Sequence, residues 1–88
     1  MEFLVSIVVH SQIKMARAAL GWSVSHLANV SGVSSRTLNR IETADGFCVA
    51  TQGNLKLIRE TLEAAGIEFI GTTEEGPGVR LWSKSASR

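Results

Sequence analysis

The chain is sparing with cysteine, proline and tyrosine: its 88 residues include one, one and none. The single cysteine, Cys48, excludes an internal disulfide and a cysteine-based metal cluster and fits a reducing compartment. It reads as a small, half-buried hydrophobe in a loop. The single proline lies in Gly76-Pro77-Gly78, which has no following helix and no lysine, so this is not a phosphate-cradling loop. Long apolar runs are missing too. The opening MEFLVSIVVH has no basic segment ahead of its short apolar run, and nothing after it reaches spanning length, which predicts a soluble, cytoplasmic protein. No Ser-His-Asp, Cys-His or paired-carboxylate arrangement stands out. The expectation is a non-enzyme with no cofactor, no metal and no evident small-molecule ligand. His10 and His26 have no companion ligands and read as surface residues.

One further absence is local. Residues 11–40 contain Lys14, Arg17, Arg36 and Arg40 and no acid. Residues 41–75 contain Glu42, Asp45, Glu60, Glu63, Glu68, Glu74 and Glu75 against Lys56 and Arg59. The net charge of +1 therefore conceals a segregation, and a basic face of this kind can attract a polyanion without a high overall pI. The length suits one domain with a modest core, for which a partner subunit is unsurprising.

What is present has helical period over most of the chain. Residues 1–10, with Phe3, Val5, Ile7, Val8 and Val9, read as a strand or a leader. From Ser11, a candidate cap, Ile13, Ala16 and Leu20 recur at helical spacing up to Gly21. Ser23 caps a second helix bearing Val24, Leu27 and Ala28, and Gly32 supplies a positive-φ turn. Ser34 caps a third helix, with Leu38 and Ile41 on one face, running to about Thr43. Residues 44–50, with Asp45-Gly46, read as a loop. A longer helix carries Leu55, Ile58, Leu62 and Ala65 and stops at Gly66; Gly53 weakens its first turn, so its start could slip to Asn54. Beyond it the period falls to two, predicting a hairpin over 67–83 with Ile67 and Phe69 facing one way and Glu68 the other, then a polar tail over 84–88.

In GWSVSHLANVSGVSSRTLNRIE the requirements of two helices crossing steeply coincide. Ala28 permits a close approach, Gly32 turns the chain, and Leu27, Val33, Leu38 and Ile41 fill the wedge. This stretch, within residues 13–65, resembles the helix-turn-helix family typified by phage Cro and repressor proteins, the XRE family. The tail LEAAGIEFIGTTEEGPGVRLW is similar to that of short bacterial regulators of this family that end in a hairpin. The resemblance implies a mainly α, compact four-helix Cro- and repressor-like domain over 11–66 followed by a C-terminal β-hairpin, with residues 1–10 a candidate extra strand. It also implies a recognition helix at about 34–43 in the major groove, working as a dimer on a two-fold related site. Family members commonly carry Gln at the start of the second helix, where its amide meets a phosphate. Here Val24 takes that position, so that contact is lost or moved.

If Leu38 and Ile41 face inward, Ser35, Arg36, Asn39 and Arg40 fall on the outer side. Arg36 and Arg40 can fork onto guanine O6 and N7, Asn39 onto adenine, and Ser35 is a less specific reader. Lys14, Arg17, Ser23, Ser34 and Thr37 suit phosphate oxygens. The alternative for all of them is a solvated helix face, but such a face usually mixes signs for i, i+4 pairing, and this stretch lacks acid. Glu42 is placed to pair with Arg17. Trp22 reads as a packing plug between the first helix and the helix over 55–65.

A two-stranded hairpin is marginal alone, and this one offers Ile67, Phe69, Ile70, Val79, Leu81 and Trp82 with little obvious chain to cover them. A homodimer through residues 66–82, with or without residues 2–9 added to the sheet, is the expectation. The sequence thus predicts a sequence-specific regulator of transcription that binds double-stranded DNA as a homodimer. The competing reading is an antitoxin or protein-interaction module that neutralises a partner protein and regulates its own promoter.

Overall fold

The computed structural model describes Ile7 and residues 9–82. Along the chain run α1 (Ser11–Leu20), α2 (Val24–Ser31), α3 (Ser35–Ile41), α4 (Ala44–Cys48), α5 (Gln52–Ala64), β1 (Ile67–Ile70) and β2 (Gly78–Leu81). The fold is mainly helical with a small antiparallel hairpin. Of residues 1–10 only Ile7, Val9 and His10 are described, so the strand-or-leader reading lies outside the described residues, as does the tail from Ser83 onward. Among the described residues the sheet has two strands. No helix among them is long and apolar enough to cross a membrane.

Helix ends follow the residues that can satisfy orphaned backbone groups. Ser23 Oγ accepts from the His26 N–H and Ser34 Oγ from the Thr37 N–H, so α2 and α3 start where the serines allow. Gly21 and Gly32 end α1 and α2 in the left-handed region, at φ 71° and 83°, where a β-carbon would be strained. Two expectations are corrected at this level. Ser11 is not a cap: α1 is preceded by His10 without a side-chain cap bond, and it is the Gln12 Oε1 that accepts the Val9 N–H. Residues 44–48 are not loop but the short helix α4, capped by Thr43, so there are five helices among the described residues instead of four. The last helix starts at Gln52, because Thr51 caps it and Gly53 is tolerated in its first turn.

The core comprises Ile13, Ala16, Leu27, Val33, Leu38, Ile41, Ile58, Leu62, Ile67 and Phe69. It draws on α1, α2, α3, α5 and β1, so burying these side chains is what fixes the helices against the hairpin. Neighbours in space are α1 with β2, α2 with α3 and α5, α3 with α4, and α5 with β1.

The hairpin is covered by its own chain, which corrects most of the expected dimer surface. The register pairs Ile67 with Leu81 and Phe69 with Val79. Ile67 and Phe69 are each only 3% exposed, and Val79 packs partly on the core. Ile70 is half-buried. Only Leu81, at 44%, and Trp82, at 55%, remain open. The sequence reading failed to foresee that α1 lies against β2. Gln12, wholly buried, makes the attachment polar as well as apolar: its Nε2 donates to the Gly78 carbonyl at 2.9 Å and the Ile70 carbonyl at 3.4 Å, at the loop end of both strands. On the outer face Glu68 Oε1 accepts from Arg80 Nη1 (3.1 Å) and Trp82 Nε1 (2.9 Å), and the Arg80 guanidinium stands 5.6 Å from the Trp82 ring centroid.

Candidate nucleic-acid interface

The α2–α3 unit is built around an apolar wedge. Leu27, Val33, Leu38 and Ile41 are almost wholly buried, and Ser31 Oγ accepts the Val33 N–H across the Gly32 turn. With Leu38 and Ile41 facing inward, the 3.6-residue period turns Arg36, Asn39 and Arg40 outward, and all three are exposed. Ser35 and Thr37 are half-buried. Among the described residues no ion pair or hydrogen bond engages the side chains of Arg36, Asn39 or Arg40. Three side chains with donors in fork geometry thus share one helical face, with no partner among the described residues.

The residues expected on phosphates fall into two groups. Lys14 is exposed on α1, and Ser23 and Ser34 are exposed at the starts of α2 and α3. The Ser34 hydroxyl donates to Thr37 Oγ1 at 2.9 Å, so Ser34 and Thr37 act together in the α3 cap. Arg17 is different, and its assignment to a phosphate is corrected. Its Nε and Nη2 donate to the two oxygens of Glu42, each at 2.8 Å, and its Nη1 donates to the Trp22 carbonyl at 3.1 Å. Glu42 is only 5% exposed. Hydrogen bonding and the charge of Glu42 raise the Arg17 pKa above the ordinary arginine value, outweighing the opposite effect of burial. Arg17 is therefore a clamp between α1 and the end of α3, through the pair with Glu42 that the sequence also allowed. Trp22 is half-buried against the core, its ring edge-on to His26 with centroids 4.6 Å apart, and it faces Thr61 and Ala64 of α5 across a shallow groove.

Sequence reasoning missed the element that completes this face. Thr43 Oγ1 accepts the Gly46 N–H at 3.0 Å and donates to the Arg40 carbonyl at 2.6 Å. A β-carbon at position 46 would overlap the Arg40 carbonyl oxygen, so only glycine lets α4 come this close to α3. Asn39, Arg40, Thr43, Asp45, Gly46 and Val49 then line one open groove. A signal was available: Thr43 three residues ahead of Gly46 has the spacing of a side-chain cap. Asp-Gly, however, is the strongest of turn dipeptides, and it suggested a loop instead.

No protein-family model, curated protein or solved structure matches the chain. Among the described residues no group of His, Cys, Asp and Glu could hold a metal ion.

Proposed function

We propose that the chain is a sequence-specific regulator of transcription that binds double-stranded DNA through a Cro- and repressor-like helix-turn-helix, with α3 in the major groove. The observation that carries this reading is the exposed set Arg36, Asn39 and Arg40, whose side chains have no partner among the described residues, on a helix anchored by Leu38 and Ile41. Guanidinium and amide forks match guanine and adenine edges, each good pair discriminating by about 1–3 kcal/mol. Lys14, Ser23, Ser34 and Thr37 are the phosphate-facing set, without Arg17.

We further infer a homodimer, which would space two recognition helices by about one turn of DNA, roughly 34–36 Å. Its surface is the exposed end of the hairpin at Leu81 and Trp82, smaller than the whole hairpin face. The test is selection of bound duplexes from a random pool, followed by titration of the winner at two salt concentrations. Enrichment of a two-fold related sequence with steep salt dependence is expected. Failure to enrich any sequence, with affinity indifferent to salt, overturns the reading.

A further inference from the structure

We propose that Asp45 is a specificity-determining residue of the DNA-reading face, selecting cytosine in the base pair whose guanine is read by Arg40. The inference rests on the DNA-binding reading above and adds a residue outside α3 to it. Asp45 lies in the first turn of α4, next to the glycine that touches the Arg40 carbonyl. The two Thr43 hydrogen bonds and the Gly46 contact hold this turn in a fixed relation to Arg40. Asp45, Asn39 and Arg40 line one groove, with Asp45 exposed. Among the described residues no ion pair or side-chain hydrogen bond engages its carboxylate. It is the acid that interrupts an otherwise basic or neutral surface at the point where two readers end.

The chemistry of base edges decides what such a group can recognise. A carboxylate only accepts hydrogen bonds and repels phosphate, so it gains nothing from the DNA backbone. In the major groove the exocyclic donors are cytosine N4 and adenine N6. Adenine places the N7 acceptor beside its amino group, against which a carboxylate is repelled; cytosine has no such neighbour. A G·C pair offers O6 and N7 acceptors on one side and the N4 donor on the other. That pattern is the complement of a guanidinium and a carboxylate that line one groove, as Arg40 and Asp45 do. The carboxylate also weakens attachment to every duplex that lacks the cytosine, which raises the ratio of specific to random binding.

The experiment compares wild type with Asp45→Ala and Asp45→Asn in the same duplex selection, followed by titration of the selected site and of its single-base-pair variants. Circular dichroism on each variant checks that the helices are retained. Wild type is expected to prefer cytosine at one position by about 5-fold or more, the lower end of a single base contact. D45A should reduce that preference by about 5-fold, leaving the part set by Arg40 at the same base pair and the preferences set by Arg36 and Asn39 in place, and bind random duplex more tightly. D45N, which keeps a neutral acceptor, should retain part of the preference. If both variants tighten all duplexes by one common factor with every base preference unchanged, Asp45 acts only as a general charge and the proposal is overturned. If wild type itself enriches no sequence, the DNA-binding reading fails instead, and the two failures are distinct.

Discussion

Arg17 and Glu42 meet fork to fork, with both N–O distances at 2.8 Å, joining the last turn of α1 to the residue that closes α3. The pair is mostly shielded from water, so its loss differs from that of a surface bridge. Arg17→Ala leaves the Glu42 carboxylate buried without its partner and should cost about 3 kcal/mol, at the low end for a broken buried pair. Urea unfolding at neutral pH measures this. The double change Arg17→Met with Glu42→Leu should recover most of the loss, since apolar replacement of both partners removes the orphaned charge. Because the folded pKa of Arg17 is raised, its contribution is fully present below the ordinary arginine value and declines only as pH rises through the folded value. Unfolding followed from pH 6 to 9 should accordingly show no change assignable to Arg17.

Two glycines should respond oppositely to the same substitution. Gly46→Ala forces a β-carbon onto the Arg40 carbonyl, and separating α4 from α3 should cost more than about 2 kcal/mol. Gly53→Ala, in the first turn of α5 with open space around it, should add about 0.5–1 kcal/mol. Thermal melting of the two variants beside wild type reads both signs. A stabilised Gly46→Ala protein would refute the packing described for α4.

Gln12→Leu keeps the volume of the side chain and leaves the Gly78 carbonyl without its donor. A loss of about 1–3 kcal/mol is expected, the range for an orphaned buried polar group. Hydrogen exchange should quicken in β1 and β2 more than in α3, since the two bonds donated by Gln12 Nε2 belong to the attachment of the hairpin and the third bond, from the Val9 N–H, lies ahead of α1.

On DNA, Arg40→Ala should flatten the preference at its base pair, whereas Lys14→Ala should weaken all sequences alike and reduce the salt slope by about one. Equal losses on every duplex for Arg40→Ala would argue against direct readout.

The dimer proposal separates the exposed end of the hairpin from its buried part. Exchanging Leu81 and Trp82 together for serine should yield a monomer by light scattering at tens of micromolar with little change in the melting of the monomer. Phe69→Ala should instead cost about 3–5 kcal/mol, because that ring sits in the core of its own chain.

The helical part of the fold was legible wherever a local rule and the core agreed. Ser23, Ser34, Gly21 and Gly32 mark ends by chemistry that acts within four residues, and Leu27, Leu38 and Ile41 mark the buried face by period. The outward placement of Arg36, Asn39 and Arg40 follows from the same period. What escaped depended on contacts between distant residues. Arg17 is a cation in an acid-free stretch, and its sequence neighbourhood cannot distinguish a phosphate from Glu42, 25 positions away. Gln12 bonds to Gly78 across 66 positions, and α4 exists because a capping threonine and a missing β-carbon let it lie on α3. Phe69 and Trp82 carry similar apolar weight on one hairpin, and only the packing of α1 and α5 assigns one inward and the other outward.

The position of Trp82 on the outer hairpin face gives the molecule an optical reporter of the proposed association. Trp22 sits half-buried among the helices and Trp82 stands mostly in water, so the two indoles emit from different surroundings. In a Trp22→Phe protein the remaining fluorescence comes from the hairpin end alone, and it should move to shorter wavelength as concentration drives subunits together, while a Trp82→Phe protein should stay spectrally constant over the same dilution series.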